Sequence, residues 1–280
     1  MTVDRGTGGS AAARGGARRL RGGNYPDILY GEVRVAAWAE SLLRTRPFQR
    51  LAHISLSDVP GELLFERRFP SRLEHTRGVY FLARLARPRD RTLQAAALAH
   101  DLGHGPFSHL TEPLMRERLD EDHEERAARL LERVRTDLSD SVLRQLGWLD
   151  WDEIAHLVIG GGRGALLNGK LDYDNADNVA RFLLAANLGL PGYDPRTLAR
   201  ALRLRGRLDV AEPPATEDMP HASYDGHARG EAVYLLAHMQ EDALAWREDR
   251  ARVYNYLHAG HRNLALHAML RKSIDLIAVA

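Results

Sequence analysis

The sequence predicts an all-α, mainly helical fold with one small inserted β-hairpin. Three observations point there. Apolar residues recur every three or four positions through most of the chain from residue 72 onward, the spacing that lines one face of a helix. Between residues 205 and 228 that spacing gives way to alternation around Pro213-Pro214, which reads as a hairpin. No internal repeat and no Pro/Gly/Ser linker interrupts residues 25–280, so a single domain with a C-terminal helical subdomain is expected. Ahead of it, residues 1–24 read as a disordered tail. Seven glycines and five arginines fall in the first 23 residues with no apolar run, a composition that buries too little surface to order itself and carries no targeting signal.

Ordered chain is expected to begin near Tyr25-Pro26-Asp27, and a helix over 31–45, where Val33, Ala36, Ala37 and Leu43 fall at mixed helical spacing. Pro47 ends it or starts a new turn. Pro60-Gly61 and Pro70 make 54–71 a loop region. Val79, Leu82, Ala83 and Leu85 then mark a helix that Pro88 breaks. The next helix starts at Arg89-Asp90 and runs to Gly103; it is apolar nearly all round and should be central and buried. Further helices are expected over 108–119, 122–136, 139–146, 151–159 and 174–188, with a glycine-rich loop at 160–164 and a new helix from Pro195. Leu204, Gly206, Leu208 and Val210 alternate as one strand, and His221–Tyr224 supply its partner. Residues 229–248 and 250–278 return to helix.

Composition excludes several function classes. The chain of 280 residues has no cysteine, which removes disulfide scaffolds, Cys-ligated zinc and Cys nucleophiles together. No stretch approaches the roughly 18 consecutive apolar residues of a membrane span. Net charge is +1, from 39 basic and 38 acidic residues, which argues against a nucleic-acid-coating protein. Only Lys170 and Lys272 are lysine, so a phosphate-binding cation here is expected to be arginine, which binds in bidentate fashion. A cytoplasmic protein is the default expectation.

Histidine carries the chemical signal. Five of the 13 histidines fall between His75 and His123: His75, His100, His104, His109 and His123. His100-Asp101 ends the all-apolar helix, where an imidazole and a carboxylate are costly to desolvate unless paired or bound to an ion. Neutral imidazole nitrogen and carboxylate oxygen suit Zn, Mn, Fe, Co or Ni.

The pattern His75, His100-Asp101 and a distant Asp174 resembles the signature of HD-domain metal-dependent phosphohydrolases. Arg72-Leu73-Glu74-His75-Thr76-Arg77-Gly78-Val79, the block His100–His109 followed by Glu112, the pair His123-Glu124, the segment Leu171–Asp177 and Arg252-Val253-Tyr254 resemble the deoxynucleoside triphosphate triphosphohydrolase branch. The likeness covers roughly residues 48–258, and its His100–His109 block is the specific part. It implies a helical HD-type bundle and one divalent transition metal held by His75, His100, Asp101 and Asp174. Such an ion acidifies a water or polarises a phosphoryl oxygen. His104 and His109 would face the phosphates, His123 would be the general acid or base with Glu124 orienting it, Arg72 would neutralise phosphate charge, and Tyr254 would border the substrate. A nucleotide-type substrate and a homo-oligomer are implied by the same resemblance.

Each assignment has a plainer competitor. Asp172 could replace Asp174 as ligand or could cap its helix. Arg72 could pair with Glu74 or Glu66. His104 and His109 could shape their turn, and His123 could be a solvent-facing residue of an acidic helix start. Gly160–Gly164 resembles a phosphate cradle but lacks the P-loop Lys-Ser/Thr. His258, His261 and His267 read as one helix face, and Arg34, Arg44, Arg46 and Arg50 as solvated surface.

The chain departs from the branch at Asn175, where the branch carries lysine, at Asn178 and Phe182, where the branch carries tyrosine and aspartate, and at Leu56, where the branch carries glutamine. Changed polar groups alter selectivity, because the wrong substrate leaves them unpaired. Hydrolysis of a nucleoside monophosphate or modified nucleotide, contacted by Arg72, Asn175, Asn178 and Tyr254, is therefore favoured over triphosphate hydrolysis. Two further readings compete. One is an HD-type di-iron oxygenase, with His104, His109 and His123 serving a second metal; the other is a non-catalytic nucleotide-binding HD protein.

Overall fold

A computed structural model describes residues 20–59, 63, 68–205, 232–259 and 261–279. Two strands open it: β1 (Gly23–Asp27) and β2 (Gly31–Val35) pair antiparallel, with Asp27 opposite Gly31. The helix expected over 31–45 is therefore corrected to a strand followed by the short helix α1 (Ala37–Leu43). The reason is local. Val33 and Val35 are buried while Glu32 and Arg34 are exposed, a period of two rather than 3.6. Gly31 takes φ +73°, which closes the three-residue loop at no Cβ cost. Asp27 Oδ1 accepts from the backbone N–H groups of Leu29 at 2.8 Å and Tyr30 at 3.1 Å, fixing the turn.

After α2 (Arg46–Arg50), whose first turn holds Pro47, the chain reaches α3 (Arg72–Ala86). Ser71 and Glu74 form a full capping box at its start, satisfying two otherwise orphaned N–H groups. α4 (Arg91–Ala99) is capped by Asp90, and every residue from Leu93 to Ala99 is buried. It is the central helix the apolar pattern predicted. It tightens into a 3₁₀ turn over His100–Gly103.

A second 3₁₀ turn (Ser108–Thr111) leads into α5 (Glu112–Leu119), so the expected helix over 108–119 is two pieces. α6 (His123–Asp137), α7 (Asp140–Gln145) and α8 (Trp151–Val158) follow, then α9 (Tyr173–Ala185) and α10 (Pro195–Ala201). α4 packs against α3 and α8, α6 packs on the His100–Gly103 turn and on α8, and α9 lies across α3.

A second antiparallel pair of strands does interrupt the helices, and its first strand takes in Leu204 of the expected one. β3 (Leu202–Arg205) pairs antiparallel with β4 (Ala232–Leu235), Leu202 opposite Leu235. The expected partner His221–Tyr224 lies outside the described residues, as does most of the 1–24 tail. The final helices are α11 (Gln240–Ala259) and α12 (His261–Val279). The helix expected from 229 thus starts at Gln240, and no break falls near residue 249. α11 packs on α9, and α12 packs on α11 and on the turn at Ser108–Thr111. Among the described residues no helix is long and apolar enough to cross a membrane.

Candidate metal centre and active-site cleft

Three side chains from three elements meet at one point: His75 from α3, His100 from the end of α4, and Asp174 from the first turn of α9. His75 Nε2 lies 2.8 Å from Asp174 Oδ1 and 3.4 Å from His100 Nε2. The outer nitrogen of each ring is committed. His100 Nδ1 sits 2.9 Å from the Ala97 carbonyl oxygen, and His75 Nδ1 sits 2.7 Å from Asp177 Oδ1. Both partners only accept, so both Nδ1 atoms carry a proton and both Nε2 atoms face inward, where a metal ion would take the place of a second proton. Two ring nitrogens and a carboxylate oxygen aimed at one spot call for a cation, and this donor set fits a divalent transition metal.

Burial alone would depress the pKa of His75, but hydrogen bonds it donates to Asp174 and Asp177 outweigh it and push it up to about 10. The same carboxylates that favour a proton there favour a metal ion.

Asp101 lies beside this triad. Its Oδ1 is 3.6 Å from His100 Nε2 and its Oδ2 is 3.8 Å from His75 Nε2. Oδ2 also lies 2.8 Å from the buried guanidinium of Arg72. Burial opposes its charge, but Arg72, His100 and His104 hold it well below the usual carboxylate range. Asp172 is the helix cap: its Oδ1 accepts from Asn175 N at 2.7 Å.

A second cluster stands next to the first. His104 Nε2 is 3.2 Å from Asp101 Oδ1. The His104 ring stacks on His123 with centroids 4.1 Å apart and meets His109 edge-on at 4.8 Å. Glu112 Oε1 lies 2.5 Å from His123 Nδ1 and 2.9 Å from His109 Nδ1. These four residues could themselves hold an ion. Burial, Arg72 and His123 keep His104 well below the ordinary histidine pKa, so it is neutral. Burial also works against a charged His123, yet Glu112 and Glu124 hold its pKa above the ordinary value.

Both clusters open into one cleft of about 980 Å³ including its mouth. Its lining includes a polar set, Arg72, Asp101, His104, His109 and His123, and an apolar set, Leu56, Leu167, Val179, Phe182 and Leu257.

The sequence profile of the HD domain family matches residues 72–183. By that match, residues 72–183 are similar to the HD domain family. Deoxynucleoside triphosphate triphosphohydrolase SAMHD1 of Gallus gallus is 29% identical over 153 residues, 48% of this chain and 25% of that protein. The Bos taurus protein of the same name is 31% identical over 126 residues, 39% of this chain and 21% of that one. Uncharacterized protein YwfO of Bacillus subtilis is 29% identical over 184 residues, covering 59% and 40%. The match thus spans a quarter or less of each SAMHD1 protein.

The expected site residues come together around the cleft with one exception. Asn178 and Tyr254 line the cleft, as do Glu124 and Asp174. Asn175 is not among the lining residues; its amide donates to the Gly169 carbonyl at 3.0 Å and to Asp172 Oδ1 at 3.1 Å. Glu124 lies 3.4 Å from His123 Nδ1, so the closer carboxylate is Glu112, one helix away. The spacing His109…Glu112 carried that signal. Arg72 pairs with Asp101 and donates to Ser108 Oγ at 2.8 Å, not to Glu74.

Three residues read as bland have defined places. Arg50 donates to the carbonyls of His104 at 2.6 Å and Leu102 at 2.5 Å, holding the HD turn. His267 of α12 lines the cleft. Arg163 of the glycine-rich loop is engaged by Asp90 at 2.7 Å and Glu153 at 2.8 Å, and that loop does not line the cleft.

The site also depends on residues to which the motif reading gave no role. Asp177 accepts from Arg181 Nε at 2.8 Å and NH2 at 2.9 Å, deep in the core. Gly78 of α3 lies directly over this pair, and a Cβ there would overlap the Asp177 carboxylate. Gly103 lies against the His123 carbonyl in the same way. Phe107 and Ser108 both take positive φ, 61° and 48°, a strained conformation for non-glycine residues that recurs at functional sites.

Proposed function

We propose that the protein is a metal-dependent phosphohydrolase that cleaves a phosphate ester of a nucleotide. The observation that carries this reading is the pairing of two clusters in one cleft: a cation-seeking His75/His100/Asp174 triad with Asp101 beside it, and a His104/His109/His123 group organised by Glu112. When bound, a divalent transition metal at the first cluster supplies Lewis-acid polarisation and acidifies a water.

The chain's own residues supply the rest. Arg72, fixed by Asp101 and Ser108, presents a guanidinium at the cleft, suited to phosphate oxygens. Neutral His104 offers a ring nitrogen there. His123, whose pKa Glu112 and Glu124 raise against the effect of burial, is suited to give a proton to a leaving oxygen and lines the same cleft. The apolar set of Leu56, Val179 and Phe182 excludes water and suits a base and sugar. Tyr254, from α11, borders it.

The names of the SAMHD1 relatives point to deoxynucleoside triphosphates. Leu56, Asn178 and Phe182 stand in the cleft lining where that branch carries polar residues, and Asn175 is turned into its helix cap. These departures favour a nucleoside monophosphate or a modified nucleotide.

Phosphorus NMR on the purified protein with Mn(II), Co(II) or Fe(II) and a panel of nucleoside mono-, di- and triphosphates tests this. Orthophosphate from a monophosphate is the expected product. Intact tripolyphosphate would move the assignment to triphosphate hydrolysis. Two irons per chain with oxygen uptake and no phosphate release would replace hydrolysis with oxygenase chemistry.

A further inference from the structure

The metal ligand His75 is held by a chain of contacts that leaves the HD domain. Its Nδ1–H donates to Asp177 Oδ1 at 2.7 Å. Asp177 also takes two bonds from Arg181 and one from the Tyr30 hydroxyl, which donates to Oδ2 at 2.8 Å. Four donors thus fill both oxygens of a fully buried carboxylate. Arg181 NH1 in turn lies 3.0 Å from Asp27 Oδ2, and the other Asp27 oxygen fixes the turn that carries Tyr30. Asp27 and Tyr30 belong to the β1–β2 hairpin, more than 40 residues ahead of the HD match at residue 72.

We propose that Asp27 and Tyr30 are positioning residues for the metal ligand His75, acting through Asp177 and Arg181. This rests on the metal-centre reading above. A carboxylate behind a ligating histidine fixes its tautomer and ring angle, and raises its basicity toward the metal. Here that carboxylate is itself aimed by two groups from the hairpin. Tyr30 fixes Asp177 directly. Asp27 does so by anchoring the guanidinium that grips both its oxygens. Two carboxylates and one guanidinium leave a net negative charge behind His75, which favours a cation at its inner nitrogen. The hairpin is thereby a working part of the metal centre.

The test uses the full chain with Co(II) as the probe, titrated in competition with a chelator and followed by its visible absorption. Tyr30→Phe removes one hydroxyl and keeps the ring on Phe81, 4.6 Å away. It is expected to weaken Co(II) binding by about 10-fold or more, the usual loss for such an outer partner, and to alter the Co(II) spectrum while the melting temperature holds. Asp27→Asn should do the same; if it does not fold, Tyr30→Phe decides. Glu32→Gln, at an exposed position of the same hairpin, should change nothing, and His100→Ala should abolish binding. Wild-type affinity and spectrum in folded Tyr30→Phe and Asp27→Asn, with binding lost in His100→Ala, would overturn the positioning role and leave the metal centre standing. A lower melting temperature with an unchanged spectrum would also overturn it. Absence of Co(II) binding in the wild type would overturn the metal reading and this inference with it.

Discussion

Glu112 contacts two histidines of the cleft with one oxygen, and together with Glu124 it raises the pKa of His123. The sign of its effect is definite. His123 has a pKa above the ordinary histidine value because its carboxylate neighbours overcome burial. If protonated His123 is needed for turnover, activity falls as pH rises through that elevated pKa. Glu112→Gln removes the nearest negative charge, so the basic limb of kcat/KM against pH is expected to move down toward the ordinary value. A basic limb that stays in place would exclude His123 as the acid. Glu112 itself is held below the usual carboxylate range by His109 and His123, although burial opposes this. Its contribution to stability is therefore present above the unfolded carboxylate pKa and is lost as pH falls through the depressed value.

The elements meet the site through close backbone approaches. The turn that ends α4 presses Gly103 against α6, and a methyl group there would strike the His123 carbonyl. Gly103→Ala should destabilise the protein by about 1–3 kcal/mol, as overpacking does, read as a lower denaturation midpoint with an unchanged m-value. Gly78→Ala should do at least as much by displacing the Asp177–Arg181 pair behind His75. A wild-type midpoint in either variant would contradict the packing described. At the start of α9 two aspartates two residues apart have divided their roles. Asp172 caps the helix from a fully buried position, and Asp174 turns toward His75. The sequence alone left that choice open, because either carboxylate can cap or ligate.

At the scale of the whole molecule, the HD domain is closed on two sides by chain outside it. The β1–β2 hairpin backs His75, the proposed metal ligand, and α11 and α12 bring Tyr254 and His267 to the cleft. Tyr254→Ala is expected to raise KM with little change in kcat, the pattern of lost uniform binding; an unchanged KM would place Tyr254 outside the substrate contacts. Metal and folding should be linked. A divalent ion at 100 times its Kd adds about 2.7 kcal/mol of stability, so Co(II) should raise the melting temperature by several degrees and a chelator should reverse it. His100→Ala should abolish the shift. A chelator-insensitive melting curve in the wild type would argue against a resident ion.

Local patterns read from the residues determined a good deal by themselves. Helical periodicity located α3, α4 and α9, and the all-apolar run before His100 marked α4 as central, because burial on every side leaves no polar stripe. The clustering of histidines and the polar His100-Asp101 pair at the end of a buried helix marked the stretch where chemistry was to be sought, while the metal and phosphate roles came from the resemblance to HD phosphohydrolases. Other features needed the fold. β2 was hidden because five residues of alternation merge into the alanine-rich start of α1. The partner strand β4 lies 27 residues beyond β3, too far for any local signal. Glu112 serving His123, Arg50 holding the Leu102 and His104 carbonyls, and Tyr30 reaching Asp177 across 147 residues are contacts between elements. Side-chain chemistry is written in the sequence residue by residue. Which side chains share a point in space is decided only when helices pack, because that depends on all their faces at once.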